Sequence, residues 1–241
     1  MSESPISVII PTSPVPLHPS IAVIENCVDS IRRHLPDSEI IICCDGVRKE
    51  LDHRAGQYSK YLCALFYQCH YVWKNVRYMH HLEHLHQAEM TRRALETVIT
   101  PLVLFFEHDA TLDDKFIDWG AINELLLSEE ANTVRFYWHC ELHPEAMYLM
   151  GERTGPFVKT RQWSSWPHVS RTDFFKKIIA EHFPPGVKKM LETVLYSPVL
   201  ESPWEAYRTY LYCPEGGDGV RFHHLDARRD PVSAEKDFGD W

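Results

Sequence analysis

The sequence lacks the features that mark a membrane or secreted protein. None of its apolar runs approaches the ~18 residues that a membrane-spanning helix needs, so we expect no membrane span. The first residues, MSESPISVIIPTSP, show no basic segment followed by a long apolar stretch, unlike a signal peptide. We therefore expect the protein to be cytoplasmic.

Cysteine motifs are also missing. Seven cysteines are present, an odd number, and no two of them form a CxxC pair. Several lie in apolar runs, including Cys43 and Cys44. This pattern indicates buried free thiols in a reducing compartment.

An excess of positive charge is missing as well. The 241 residues carry a formal net charge of −9, and an acidic chain does not attract polyanions through its overall field. Broad binding to nucleic acid or to anionic membranes is therefore disfavoured, although a local basic groove would still allow nucleic acid to bind. With 44% hydrophobic and 12% aromatic residues, the chain is suited to a packed domain with a sizeable core.

The first 46 residues contain a strand, a helix and a second strand in succession. The β-branched run ISVIIPT predicts a strand over 6–12, and EIIICCDG predicts another over 39–46. Between them, apolar spacing predicts a helix over 20–35 with Ser20 as its N-cap. This is a βαβ unit, which indicates a parallel sheet.

The rest of the chain continues the alternation less regularly, and we expect one domain over 1–241 with a polar tail at 231–241. A third strand is predicted within YVWKNVRYMH, 71–80. Further helices are predicted over 84–99, 114–128, 170–183 and 202–212, and further strands over 101–107, 133–138 and 219–226.

Polar residues follow three of the predicted strands. They are Pro11-Thr12, Asp45-Gly46 and Glu107-His108-Asp109. In an open parallel sheet, ligands bind at the carboxyl ends of the strands, so these residues should line one edge. The last group ends the apolar run PLVLFF with two carboxylates and an imidazole, which favours a cation at that point.

The stretches SVIIPTSP, IIICCDG and LVLFFEHDATL, in this order, resemble the GT-A glycosyltransferases, especially family-2-like enzymes. The resemblance covers residues 6–125 well and the remainder more loosely. It implies a Rossmann-like α/β fold with a mostly parallel sheet flanked by helices. It divides the chain into a nucleotide-sugar-binding half, 6–125, and an acceptor-side half, 126–230.

The same resemblance implies a metal-dependent inverting glycosyltransferase that uses a nucleoside-diphosphate sugar, with UDP as the expected nucleotide. Asp109 would be a ligand of Mn²⁺ or Mg²⁺, which as a Lewis acid neutralises the leaving diphosphate. Glu107 stands where the family usually has Asp and would hold ribose or a metal-bound water. The residues expected around the donor are Pro11, Thr12, Asp45, Arg92, Glu107 and His108, with Arg93 as an alternative to Arg92.

Two further roles come from the resemblance. A late histidine would complete the metal site, and since His223 and His224 face opposite ways in an extended segment, only one should do so. We prefer His224. In ESPWEAYRTYL, Glu205 would be the catalytic base that takes the acceptor's proton, with Glu201 as the alternative. The family's second acid is replaced here by Ala206.

Other histidines leave two further questions open. His168, or Arg171 near it, would contact the donor or the acceptor, unless its role is structural. His80 and His84 have a spacing of four, which would suit zinc on a helix, but no HExxH motif or cysteine pair supports this. We interpret their segment as a histidine-rich surface or as part of the donor cleft.

The acceptor is expected to be a saccharide or another hydroxyl compound, including a modified DNA base. Two functions remain as alternatives to glycosyl transfer. One is a metal-dependent hydrolase or nucleotidyltransferase, although PTSPVPLHPS lacks the glycine- and lysine-rich signature common in nucleotidyltransferases. The other is a non-catalytic module that binds a nucleotide sugar or metal, and the departures at Glu107 and Ala206 leave this alternative open.

Overall fold

The computed structural model describes residues 4–137, 144–214 and 219–225. The predicted tail at 231–241 and the last residue of the strand predicted over 133–138 lie outside these ranges. In the described part of the chain, no helix is both long enough and apolar enough to cross a bilayer.

Strands and helices alternate along most of the chain. The strands are β1 (Ile6–Thr12), β2 (Ile40–Cys44), β3 (Val76–His80), β4 (Leu102–Phe105), β5 (Ala110–Leu112), β6 (Thr133–Phe136), β7 (Met150–Thr154), β8 (Phe157–Thr160), β9 (His168–Arg171), β10 (Thr209–Tyr212) and β11 (Phe222–His224). The α-helices are α1 (Ala22–His34), α2 (Ala55–Tyr67), α3 (His86–Thr97), α4 (Trp119–Leu127), α5 (Thr172–His182), α6 (Leu191–Glu201) and α7 (Trp204–Tyr207). Short 3-10 or π turns cover Lys49–Arg54, Gln68–Val72 and Pro144–Leu149.

Nine strands form one sheet in the order β3-β2-β1-β4-β9-β6-β10-β8-β7. Strands β1 to β4, β6 and β10 run in one direction, while β9 and β8 run antiparallel to their neighbours. The mostly parallel α/β sheet predicted from the sequence is confirmed. Strands β5 and β11 pair antiparallel outside this sheet.

Both faces of the sheet are covered, which explains why β1 is buried along its whole length. Alternate residues of β1 face opposite layers. Val8 and Ile10 pack in the layer that contains α1 and α2, and Ile9 packs in the layer that contains α3, α5 and α6. Burial on both sides gives the central strands their continuous apolar runs.

Two helices begin at a different residue from the one predicted. Ser20 is not the N-cap of α1, since Ile21 holds that position, although the Ser20 hydroxyl accepts a hydrogen bond from Ala22 N at 3.3 Å. The helix predicted from 114 begins at Trp119, because the Asp118 side chain caps it by accepting from Ala121 N at 2.9 Å.

Three elements differ from the predictions. The segment 202–212 is not one helix, because Arg208 takes a left-handed conformation (φ 44°) that ends α7 and starts β10. Residues 168–171, whose last two were predicted to begin a helix, form strand β9. Helix α6 was not predicted, and Pro198 lies within it.

Candidate functional site

The carboxyl ends of β1, β2 and β4 open into a cleft of about 660 Å³. The polar groups predicted to follow these strands, at 11–12, 45–46 and 107–109, all line this cleft. They meet there because parallel strands present their carboxyl ends at one edge of the sheet. The predicted location of the site is therefore where the structure has its cleft.

A cluster of three potential metal ligands lies in this cleft. Glu107 and Asp109 stand in the turn after β4, which is closed by a hydrogen bond from Ala110 N to Glu107 O at 3.1 Å. Strand β11 pairs with β5 so that His224 lies opposite Ala110. One ligand atom from each of Glu107, Asp109 and His224 lies within 4.8 Å of the others.

The two late histidines face opposite ways, as the strand period requires. His224 Nε2 is 3.6 Å from Asp109 Oδ2, whereas His223 Nε2 is 2.6 Å from Asp113 Oδ2. Burial alone would raise the pKa of the Asp113 carboxyl, but the hydrogen bond from His223 helps to lower it. His224 therefore belongs to the cluster and His223 is engaged elsewhere.

The donor set fits a divalent cation. Two carboxylates and one imidazole suit Mn²⁺, and carboxylate oxygens suit Mg²⁺. The Gln87 amide donates to Glu107 Oε1 at 3.2 Å and so orients that carboxylate. An oriented, clustered ligand set of this kind differs from an acidic strand end that is merely solvated.

Asp45 is buried at the edge of the cleft. Its side chain is 1% exposed and accepts three hydrogen bonds, from Gly46 N (2.9 Å), Leu85 N (2.6 Å) and His86 N (3.0 Å), and its Oδ2 lies 2.8 Å from His84 Nδ1. Asp45 therefore fixes the loop before α3 and places His84 at the cleft, which Asp45 also lines. Its contact with a nucleotide stays a prediction.

Arg92 does not line the cleft. Its guanidinium bonds Glu89 Oε2 at 3.0 Å and the carbonyl of Phe183. Arg93 bonds the other oxygen of Glu89 at 3.3 Å. The cations that do line the cleft are Arg48 and Arg54, which form no ion pair with any described residue. The available signal was their place in the chain, within eight residues after the Asp45-Gly46 strand end.

The other predicted donor residues lie at the cleft with different degrees of access. Pro11 and Thr12 line it, but Thr12 is 1% exposed and its hydroxyl hydrogen-bonds with Tyr61 Oη at 3.2 Å. His108 also lines the cleft, and its Nε2 is buried without a hydrogen-bond partner among the described residues. His108 is thus a polar group with an unused nitrogen beside the metal cluster.

Glu205 lies far from this cluster. Glu205 is on α7, which ends just before β10 begins. The first residue of β10, Thr209, pairs in parallel with Thr133, the first residue of β6. Glu205 is therefore at the amino edge of the parallel strands, and the cleft is at the carboxyl edge. The alternative, Glu201, is the last residue of α6, at the opposite end of this helix from Met190, which lines the cleft.

The remaining predicted contacts are structural. His168 is 0% exposed, and burial lowers the pKa of its imidazole to about 4. Arg171 pairs with Asp173 and Glu129. His80 ends β3 and His84 lies in the following loop, so their spacing of four does not place them on one helix.

Sequence analysis missed Glu192, in the first turn of α6. Ser165 N donates to Glu192 Oε2 at 3.5 Å, and Ser165 Oγ accepts from Glu192 N at 3.2 Å. Ser165 Oγ also donates to Gln87 Oε1 at 3.4 Å, and Gln87 holds Glu107. This series of bonds connects an exposed carboxylate to the metal cluster, but without the fold no motif marked it.

Comparison with solved structures identifies the fold. A crystal structure of S. aureus TarS residues 1–349 matches with a TM-score of 0.55 and 14% identity, over 91% of this chain and 60% of that one. GalNAc-T7 in complex with UDP, GalNAc and Mn²⁺ matches with a TM-score of 0.56 and 12% identity, over 94% of this chain and 45% of that one. The chain has the GT-A fold.

The chain spans less than two thirds of the length of each of these two structures. TarS 1–349 has also been solved with UDP-GlcNAc, and that complex matches with a TM-score of 0.56 and 14% identity, over 95% of this chain and 60% of that one. No protein-family model matches the sequence, and no curated protein matches it. At these identities the likeness establishes the GT-A fold and no more.

Proposed function

We propose that the protein is a metal-dependent glycosyltransferase that uses a nucleoside-diphosphate sugar. The observation that carries this proposal is the Glu107–Asp109–His224 cluster at the carboxyl end of β4, inside a cleft of a GT-A fold. Both matched proteins have been crystallised with UDP or a UDP-sugar, which supports UDP as the nucleotide here. Mn²⁺ in the GalNAc-T7 complex supports a divalent cation.

Two groups of residues would bind the cation and the diphosphate. Glu107, Asp109 and His224 would hold Mn²⁺ or Mg²⁺, and such a cation neutralises the charge that develops on a leaving diphosphate. Arg48 and Arg54 add two cationic groups to the wall of the cleft and would attract the same diphosphate. The two arginines and the metal ligands favour a dianionic donor over a neutral sugar.

Glu192 replaces Glu205 as our candidate for the catalytic base. Inversion requires a carboxylate that takes the proton of the acceptor hydroxyl while that oxygen attacks the anomeric carbon. Glu192 is exposed, is bonded to the cluster through Ser165 and Gln87, and stands two residues after Met190, which lines the cleft. We expect the acceptor to be a saccharide or another hydroxyl compound that enters beside α6.

The first experiment measures binding of UDP by calorimetry with Mn²⁺ and again with EDTA. Binding that requires the cation, and that Asp109→Ala abolishes, is expected. Asp114→Ala is the matched control, because Asp114 is an exposed acid whose side chain pairs with Arg33 outside the cleft. If Asp109→Ala binds UDP with unchanged affinity in Mn²⁺, the metal assignment is wrong.

Turnover is tested with a second pair of variants. Release of UDP from a panel of UDP-hexoses and UDP-pentoses is measured with hydroxyl acceptors and with water alone. Glu192→Gln should bind UDP normally and lose turnover, whereas Glu205→Gln should keep both. If the unaltered protein binds UDP with Mn²⁺ but cleaves none of the UDP-sugars, the second candidate function, a non-catalytic binding module, is favoured.

A further inference from the structure

His84 has the geometry of an oriented hydrogen-bond acceptor that faces the cleft. Its Nδ1 is 2.8 Å from Oδ2 of the buried Asp45 carboxylate. A carboxylate can only accept, so Nδ1 carries a proton, and in the imidazole form of the ring Nε2 is then the acceptor. No described residue bonds Nε2, and the side chain, 22% exposed, lines the cleft.

The loop that carries His84 is held tightly. Two further bonds to Asp45 come from Leu85 N and His86 N, and His86 takes a left-handed conformation with φ 67°. On its other side the loop packs against Gly46, where an added Cβ would lie 2.4 Å from the carbonyl carbon of Glu83. The position of Nε2 is therefore fixed by the fold and not by a bound ligand.

The sheet order sets the distance between His84 and the metal cluster. Asp45 follows β2 and the cluster follows β4, with β1 between them. Two strand spacings correspond to about 10 Å. A nucleoside diphosphate whose phosphates lie at the cluster has its base at about that distance, so the base would reach the end of the cleft that His84 lines.

We propose that His84 Nε2 accepts a hydrogen bond from the ring imide N–H of the donor's base, and so makes the cleft selective for uracil or thymine over cytosine. This inference rests on the proposed function, since it requires a nucleotide in the cleft. Uracil carries a donor at N3, whereas cytosine has an acceptor there. A site built to accept from an N–H rejects an analogue that lacks it, because both facing groups are left unpaired.

The test compares three ligands on the unaltered protein by calorimetry in Mn²⁺ at pH 8. The ligands are UDP, CDP and 3-methyl-UDP, which differs from UDP only by a methyl group in place of the N3 hydrogen. We expect CDP and 3-methyl-UDP to bind at least about tenfold more weakly than UDP. This comparison needs no variant and so does not depend on how a substitution affects folding.

His84→Ala assigns the selectivity to the residue. The variant should bind all three ligands within about threefold of one another, because the acceptor and the steric conflict with the methyl group are both gone. His80→Ala is the matched control from the same segment, since His80 is exposed and does not line the cleft. It should keep the selectivity of the unaltered protein.

Three outcomes overturn the proposal. If the unaltered protein binds 3-methyl-UDP as tightly as UDP, the imide N–H makes no hydrogen bond that matters for binding. If His84→Ala keeps the original selectivity, a residue other than His84 recognises the base. Either result leaves metal-dependent UDP binding, and so the proposed function, in place. If no nucleoside diphosphate binds with Mn²⁺, both the proposed function and the role of His84 fail together.

Discussion

The side chain of Gln87 joins Glu107 to the start of helix α6. Its Nε2 donates to Glu107 Oε1 at 3.2 Å, while its Oε1 accepts from Leu191 N at 2.8 Å. One amide group thus orients a candidate metal ligand and satisfies a backbone donor at the first turn of a helix. The metal cluster and the segment that carries Glu192 are mechanically connected through it.

Gln87→Ala should weaken Mn²⁺ binding about 10- to 100-fold, as loss of an outer-shell partner does at other metal sites. It should also lower the free energy of unfolding by about 1–3 kcal/mol, because Leu191 N is left unpaired. Mn²⁺ titration followed by electron paramagnetic resonance measures the first effect, and chemical denaturation the second. Gln57→Ala, at an exposed position of α2, is the control. Equal Mn²⁺ affinity in both variants would contradict the orienting role.

The adjacent histidines of β11 form a matched pair for the metal site. His224→Ala removes a candidate ligand and should weaken Mn²⁺ binding at least about tenfold. His223→Ala removes only the partner of Asp113, so Mn²⁺ affinity should stay within about twofold of the original. Mn²⁺ titration of the two variants compares them directly. A larger loss from His223→Ala would reverse the assignment.

Gly46 is required by close packing and not by its backbone angle. A Cβ there would lie 2.6 Å from the carbonyl oxygens of Leu82 and Glu83, so Gly46→Ala must displace the loop that carries His84. We expect a loss of about 1–3 kcal/mol in stability and weaker UDP binding. Gly56→Ala is the control, since nothing lies within 4 Å of its added Cβ. That change, in α2, should stabilise by about 0.5–1 kcal/mol.

Two buried histidines predict loss of stability in acid. Burial, with help from His108 and Arg54, lowers the pKa of His18 to about 3, and burial lowers that of His168 to about 4. The unfolded imidazole has a pKa of about 6.5, so below that pH the unfolded state binds more protons. Each histidine should therefore lower the free energy of unfolding by about 2 kcal/mol between pH 7 and pH 5.

His18→Phe tests this linkage at one site. The ring of His18 stacks against both Tyr58 and Tyr61, with centroids 5.1 and 3.9 Å away, and phenylalanine keeps that stacking without titrating. Denaturation at several pH values should show a smaller loss of stability below pH 6.5 than in the unaltered protein. The exposed His53→Gln should leave the slope unchanged. An identical slope in His18→Phe would assign the acid sensitivity elsewhere.

The location of the site could be predicted from the sequence because it depends on local pattern. Apolar runs that end at Pro11, Asp45 and Glu107 identify strands and their carboxyl ends, and parallel pairing brings those ends together. That only one of His223 and His224 should face the site also followed from a local rule, the alternation of side chains along a strand, but the rule did not say which.

What could not be predicted depends on contacts between distant segments. Asp45 accepts hydrogen bonds from a loop some forty residues later in the chain, and Arg92 donates to the carbonyl of Phe183. Glu205 lies at the wrong edge of the sheet for the cleft because α7 ends after one turn and β10 starts there. No periodicity in ESPWEAYRTYL reveals which edge of the sheet it will occupy.

The β5–β11 pairing has a consequence for how the chain is held together. It brings His224 to Asp109, although the two residues are more than a hundred positions apart in sequence. A cation bound by both would act as a reversible cross-link that closes a very long loop, with the same entropic effect on the unfolded chain as a disulfide. Chelation would then loosen the C-terminal strand as well as empty the cleft, and proteolysis near β11 would report metal occupancy.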